Sequence, residues 1–188
     1  YGFRGGGRYI WSYNIATATF TDTAYDTVSG GEIATNGIEG RANGYLYKPQ
    51  ANKLWQFDGS TWSQALITIP TDEIIVGLAN YGSYLAIMTN KTHVTSNTAL
   101  VYLWDFSSLL AAEILEVPGA LYRNLGVSEG VLVAIGVQLE VGGITLKIAT
   151  LEGGTFGVIF ERILPNCSIV SYLTRCEGGK LYFAMNDG

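Results

Sequence analysis

The sequence predicts an all-β fold assembled from repeated four-stranded antiparallel sheets, and composition, period and element order carry that prediction. Twenty-four Gly, 12 Tyr, 7 Phe and 4 Trp stand beside only 4 Pro. Aromatics pack on pleated surfaces and Gly supplies the positive φ of tight turns, so this mixture favours many short strands. The second observation is self-similarity: FDGSTW begins at Phe57, WDFSSL at Trp104 and LEGGTF at Leu151, both intervals being 47 residues. An apolar-Pro pair repeats at Ile69-Pro70, Val117-Pro118 and Leu164-Pro165 with the same spacing to within one residue. A glycine followed by an apolar run repeats in GSYLAIM from Gly82, GVLVAIG from Gly130 and GKLYFAM from Gly179, with a shorter GYLY at Gly44. Three independent markers sharing one period predict a tandem repeat.

The third observation is the order within a period: strand, turn, strand, loop, strand, turn, strand. In the unit from residue 71, Ile74 to Leu78 reads as the first strand, ANYG as a turn and Tyr84 to Met88 as the second. The polar stretch TNKTHVTSN (89–97) leads to a third strand, LVYLW (100–104), and after DFSS comes LLAAEILEV (109–117). That last segment carries conflicting signals. Ser107 and Ser108 are possible helix caps and LLAAEIL has helical spacing. Its place in the repeat makes it a strand, as in WSQALITI (62–69) and FGVIFERIL (156–164).

A four-stranded unit of this length repeated in tandem predicts a β-propeller, whose blades run to about 40–50 residues. Blades are expected at 31–70, 71–118 and 119–165, with half-blades at 1–30 and 166–188. The first half-blade supplies third and fourth strands, RYIWSY and TATFT, with Asn14 lying 44 residues before Asp58; the last supplies first and second strands, SIVSYL and KLYFAM. Together they complete a fourth blade and close the ring, or else both belong to a larger propeller. A start without Met and a stop at LYFAMNDG read as a fragment or a processed piece.

The turn motif resembles the Asp-box of sialidase-like propellers, S-x-D-x-G-x-T-W, through Asp58, Gly59, Thr61 and Trp62, with one residue fewer between the Asp and the Gly. Asp105 with Ser108, and Glu152, Gly153, Thr155 and Phe156, are the looser Asp-box-like or kelch-like copies. The form of FDGSTW is also similar to blade turns in propeller-containing virion proteins of tailed phages. The resemblance implies a structural motif lying away from any active face, in a protein that belongs to a virion or tail. Chemistry gives the same role: Asp58 accepts backbone N–H bonds, Gly59 takes a left-handed conformation and Trp62 anchors the next strand between sheets.

In such a meander the turns between strands one and two and between three and four fall at one end, where they are tight and repeated. The other end carries KPQAN (48–52), TNKTHVTSN, QLEVGG (138–143) and the connections PTDE, PGALYR and PNCS. Loops on a rigid scaffold are where binding usually resides. The candidate recognition residues are therefore Lys48, Gln50, Asn52, Asp72, Glu73, Asn90, Lys91, His93, Asn97, Arg123 and Asn166.

Chemistry beyond binding has little support. His93 is the only histidine, so a histidine metal cluster is excluded, and no metal or cofactor is expected. A glycosidase needs two carboxylates facing one cleft, for which Asp72, Glu73 and Glu140 are the nominees. A net charge of −5 opposes a nucleic-acid surface, and FRGGGR (3–8), which looks like an arginine-glycine box, reads as an ordinary loop. No apolar run reaches the roughly 18 residues of a membrane span. Cys167 and Cys176, nine positions apart in extended chain, read as free thiols. The expectation is a non-enzymatic structural and interaction module, with protein subunits of a virion or other soluble extracellular or cytoplasmic assembly as partners. Carbohydrate binding is the alternative and a glycoside-acting enzyme the third.

Overall fold

The computed structural model of the chain describes residues 2–3, 9–26, 40–91, 99–111, 113–117, 121–165, 167, 169–177 and 179–186. Among these the regular structure is entirely β. A three-stranded sheet joins β1 (Gly2–Phe3), β2 (Tyr9–Asn14) and β3 (Thr19–Asp26). Three four-stranded antiparallel meanders follow. The first contains β4 (Gly40–Ala42), β5 (Tyr45–Gln50), β6 (Lys53–Phe57) and β7 (Trp62–Gln64). The middle one contains β8 (Glu73–Tyr81), β9 (Tyr84–Lys91), β10 (Ala99–Trp104) and β11 (Glu113–Val117), and the third contains β12 (Leu121–Ser128), β13 (Val131–Glu140), β14 (Gly143–Glu152) and β15 (Thr155–Pro165). A two-stranded sheet of β16 (Ile169–Glu177) and β17 (Lys180–Asn186) comes last.

Local chemistry sets the meanders. Asn43-Gly44 and Gly153-Gly154 hold φ values of 47° and 79°, and 58° and 83°. Two positive φ angles in succession make the hairpin turn whose twist matches the flanking strands. Burial then explains the apolar runs: the second strand of the middle sheet, β9, is covered on both faces. Leu85 and Ile87 of β9 pack with Tyr47, Leu54 and Ile67 of the first meander. Ala86 and Met88, pointing the other way, pack with Tyr122, Leu125, Leu132 and Ala134 of the third. A strand buried on both sides has no polar face to alternate with, hence LAIM rather than an apolar-polar pattern. In β13, Leu132 and Ala134 face the middle sheet, while Ile135 and Val137 join Ile144 and Leu146 in a cluster flanked by Leu164 and the free Cys167. Each buried Leu or Ile contributes about 1.5–3 kcal/mol.

The first strands of successive sheets run side by side, β4 beside β8, β8 beside β12 and β12 beside β16. Glycine permits this approach. A Cβ built on Gly77 would lie 2.8 Å from Leu125 Cβ and 3.0 Å from the Leu125 backbone nitrogen, and one on Gly40 would lie 3.2 Å from Leu78 Cβ. Gly126 holds in β12 the place that Gly40 holds in β4, four residues before the turn glycine.

Several expectations need correction. The segment 62–69 is strand only over Trp62–Gln64. Beyond it Ala65, Ile67 and Ile69 still alternate inward, but Thr68 N donates to Leu109 O of the next sheet at 2.7 Å, so the chain leaves its own ladder. In LLAAEILEV the strand is confined to Glu113–Val117, after an exposed bend at Leu109 and Leu110. Ser108 Oγ there donates to Leu110 O and caps no helix. KPQAN and QLEVGG are not loops: strand runs through Gln50 and Glu140, and two-residue turns, Ala51-Asn52 and Val141-Gly142, carry the connections. Among the described residues β1–β3 and β16–β17 form separate sheets, and β1 lies on the second edge of β2.

Gly77→Val forces β8 and β12 apart and is expected to lower stability by about 1–3 kcal/mol, the usual cost of overpacking, in urea denaturation. Gly157→Val, on the exposed strand β15, serves as the control because a Cβ there meets nothing within 4 Å and its φ is not positive. Equal losses in the two variants would contradict close strand packing as the cause.

Candidate functional site

The turn at Phe57–Trp62 is organised by one carboxylate. Asp58 Oδ1 accepts hydrogen bonds from the backbone nitrogens of Ser60 and Thr61 at 2.7 and 2.8 Å and from Ser60 Oγ at 2.8 Å; Oδ2 accepts from Thr61 Oγ1 at 3.0 Å. Gly59, with φ at 106°, closes the bend. These donors, led by the Thr61 and Ser60 backbone N–H groups, hold the Asp58 carboxyl well below the usual carboxylate range. Asp105 repeats the device more weakly, accepting from Ser107 N at 3.0 Å, and its pKa is lowered chiefly by that bond. Around Glu152 the hairpin relies on Gly153-Gly154, and Glu152 contributes its main-chain carbonyl to Thr155 Oγ1 at 3.3 Å.

Trp62 is stacked on its own sheet. It is half-buried against Phe57 of its own sheet, ring centroids 5.1 Å apart, with its indole Nε1 buried and unpaired. The aromatic anchor between the first two sheets is Tyr47 with Trp104, edge to face at 5.9 Å, extended by Phe106. Burial, then the neighbouring Tyr45, pushes the Tyr47 phenol up to about 12.

Of the candidate recognition residues, Lys48 and Glu73 are buried and Gln50, Asn52 and Asn90 half-buried. Glu73, opening β8, is only 3% exposed. Its two carboxylate oxygens accept from Tyr102 Oη at 2.9 and 2.8 Å, and Oε2 also accepts from Thr89 Oγ1 at 2.5 Å. Burial, then the bond and charge of Glu73, raises the Tyr102 pKa. Lys48, expected in a loop, is also 3% exposed, within β5. Gln50 Oε1 accepts from Trp55 Nε1 at 3.0 Å, and Asn52 Nδ2 donates to Ile69 O at 3.0 Å. Asn90 Nδ2 donates to Tyr122 O at 2.7 Å, while its Oδ1 is buried and unpaired.

These bonds repeat a theme. Ala51 O, in the turn beside Asn52, accepts from Ile75 N of β8 at 3.0 Å, tying the first sheet to the second. Asn90, at the end of β9, ties the second sheet to β12 of the third. In both cases the end of the second strand of one sheet is fastened to the first strand of the next. Asp72 and Lys91 remain exposed. Asp72 and Glu73 point into different surroundings, one to solvent and one to the interior, and Glu140 has only its backbone among the described features. His93, Asn97 and Asn166 lie outside the described residues, as does the side chain of Arg123. Tyr102 and Thr89 escaped the sequence reading. A lone acid opening an apolar strand and a tyrosine inside LVYLW were the available signals.

No family model matches the chain, and no curated protein matches it either.

Two outcomes follow from these contacts. Tyr102→Phe deprives a buried carboxylate of a donor and is expected to cost about 1–3 kcal/mol in chemical denaturation; an unchanged midpoint would show that water or another donor satisfies Glu73. Asp58 has its pKa depressed on folding, so its contribution is present above the unfolded-state value near 3.9 and fades as pH falls below it. Asp58→Ala should therefore be less stable than the parent at pH 7, with the difference shrinking below about pH 4. A difference independent of pH would contradict a charged acceptor at this turn.

Proposed function

We propose that the stacked sheets are blades of a β-propeller and that the protein is a non-enzymatic structural and interaction module of a larger assembly, such as a phage virion or tail. The observation that carries the reading is the outermost strand β15. Val158, Ile159, Phe160 and Ile163 all remain exposed there, Ile159 at 63% and Ile163 at 68%. Ile114 on β11 adds a fifth apolar side chain on a last strand. Exposed apolar surface of this kind marks interaction sites in folded proteins. The blade reading draws support from the neighbouring first strands and their glycines, since strands crowded about a common axis need small side chains there. Glu73, Lys48, Asn52 and Asn90, which would furnish a polar ligand face, are engaged within the fold or buried. The carbohydrate-binding alternative calls for exposed aromatics; among the Tyr and Trp side chains described, Tyr182 is the exposed one.

Native mass spectrometry with particle imaging tests the proposal. Expected are particles of several chains built from compact sheet rings, with Ile159→Lys/Ile163→Lys releasing single chains that keep the parent's circular dichroism. A lone monomer that turns over glycosides would overturn it.

A further inference from the structure

The turn between β4 and β5 joins an asparagine to a glycine, a pair whose side-chain amide can react with the next backbone nitrogen. Asn43 and Gly44 are both exposed, with φ values of 47° and 79°. Gly44 has no side chain to crowd its own nitrogen, and a Cβ there would meet nothing within 4 Å. The Asn43 amide has no hydrogen-bond partner among the described residues. The other asparagines with described side chains differ. Asn52 and Asn90 donate through Nδ2 to Ile69 O and Tyr122 O. Asn124 is buried, and exposed Asn80 precedes Tyr81, whose side chain crowds the nitrogen that would attack.

We infer that Asn43 is a spontaneous modification site, converted by water through a cyclic imide to aspartate and isoaspartate. Hydroxide takes the Gly44 amide proton and the nitrogen attacks Asn43 Cγ. The N–Cγ bond forms, the Cγ–Nδ2 bond breaks, and ammonia leaves with a proton from water. A second water opens the imide at either carbonyl, and nothing is oxidised or reduced. Closing the ring requires the turn to open, and the ladder beside it is short: β4 pairs with β5 through Gly40↔Tyr47, Arg41↔Leu46 and Ala42↔Tyr45. Segments with few ladder bonds open at low free energy.

The two products act differently on the fold. Glu129-Gly130 makes the corresponding turn between β12 and β13 with φ values of 51° and 80°, so an acidic side chain suits this conformation. Isoaspartate routes the main chain through the side-chain carbon and lengthens it by one atom, so the turn no longer sets Ala42 opposite Tyr45. Ala42 is buried with Tyr47 and Leu54, and Gly40 lies against Leu78 of β8. A displaced β4 therefore loosens the joint between the first and middle sheets.

Peptide mapping of the folded full chain, incubated in mildly alkaline buffer, tests the inference, with the urea-unfolded chain incubated in parallel as the positive control. Fragmentation that separates aspartate from isoaspartate locates each conversion. Expected is conversion at Asn43 an order of magnitude faster than at Asn52, Asn80, Asn90 or Asn124, with both products present. Asn43→Asp is expected to keep the parent's urea midpoint, while the isoaspartate fraction unfolds at lower urea. An amide retained at Asn43 in the folded chain while the unfolded chain converts would overturn the site, as would equal conversion at Asn80 or aspartate as the sole product. An isoaspartate fraction with the parent's midpoint would overturn its effect on the joint.

Discussion

Everything in this molecule depends on one sheet being packed on both faces. The second strand of the middle meander has no solvent-facing side: it sends Leu85 and Ile87 to one neighbour and Ala86 and Met88 to the other, all fully buried. Hydrophobic burial is non-directional, so apolar faces alone would permit the sheets to slide. The seam between first strands removes that freedom, because Gly77 admits the Leu125 backbone at a distance no larger residue tolerates. Register between sheets is therefore a steric property of a few glycines, while cohesion is a property of the large apolar surface.

Polar residues at the strand ends serve the same constraint. The hydrogen bonds Ala51 O to Ile75 N and Asn90 Nδ2 to Tyr122 O fasten each sheet to the first strand of the next. A buried carboxylate is tolerated at this seam because Tyr102 and Thr89 satisfy it; without those donors its desolvation would cost several kcal/mol or more. Of the described residues that a loop-based argument would nominate for recognition, Asn90 joins two sheets, while Glu73, Gln50 and Asn52 bond within their own unit. The exposed apolar side chains gather instead on β15, the edge strand of the third sheet.

Much of the fold was legible because its determinants are local. The strand order within a period, the turn glycines and the apolar runs follow from residue type and spacing, and the carboxylate logic of Asp58 followed from its place before Gly59 and Thr61. The candidate recognition residues were harder to place. Lys48 and Gln50 look like loop residues in KPQAN, yet they belong to a strand, since only two residues are needed to turn. Glu73 and Asn90 look like solvated polar groups; their partners, Tyr102 and Tyr122, are 29 and 32 residues away. A sequence shows which groups need hydrogen bonds but not which distant groups supply them. The departure of 65–69 from its ladder has the same origin, a bond from Thr68 to a turn in the next unit.

Amide hydrogen exchange tests the central claim most directly, because it ranks strands by the free energy of opening. If the middle sheet is clamped between its neighbours, the amides of β9 and β10 exchange slowest, close to the rate of global unfolding, while the outer half of β15 exchanges orders of magnitude faster. Protection of β15 equal to that of β9, or rapid exchange in β9, would contradict an account in which burial on both faces of one sheet holds the fold together.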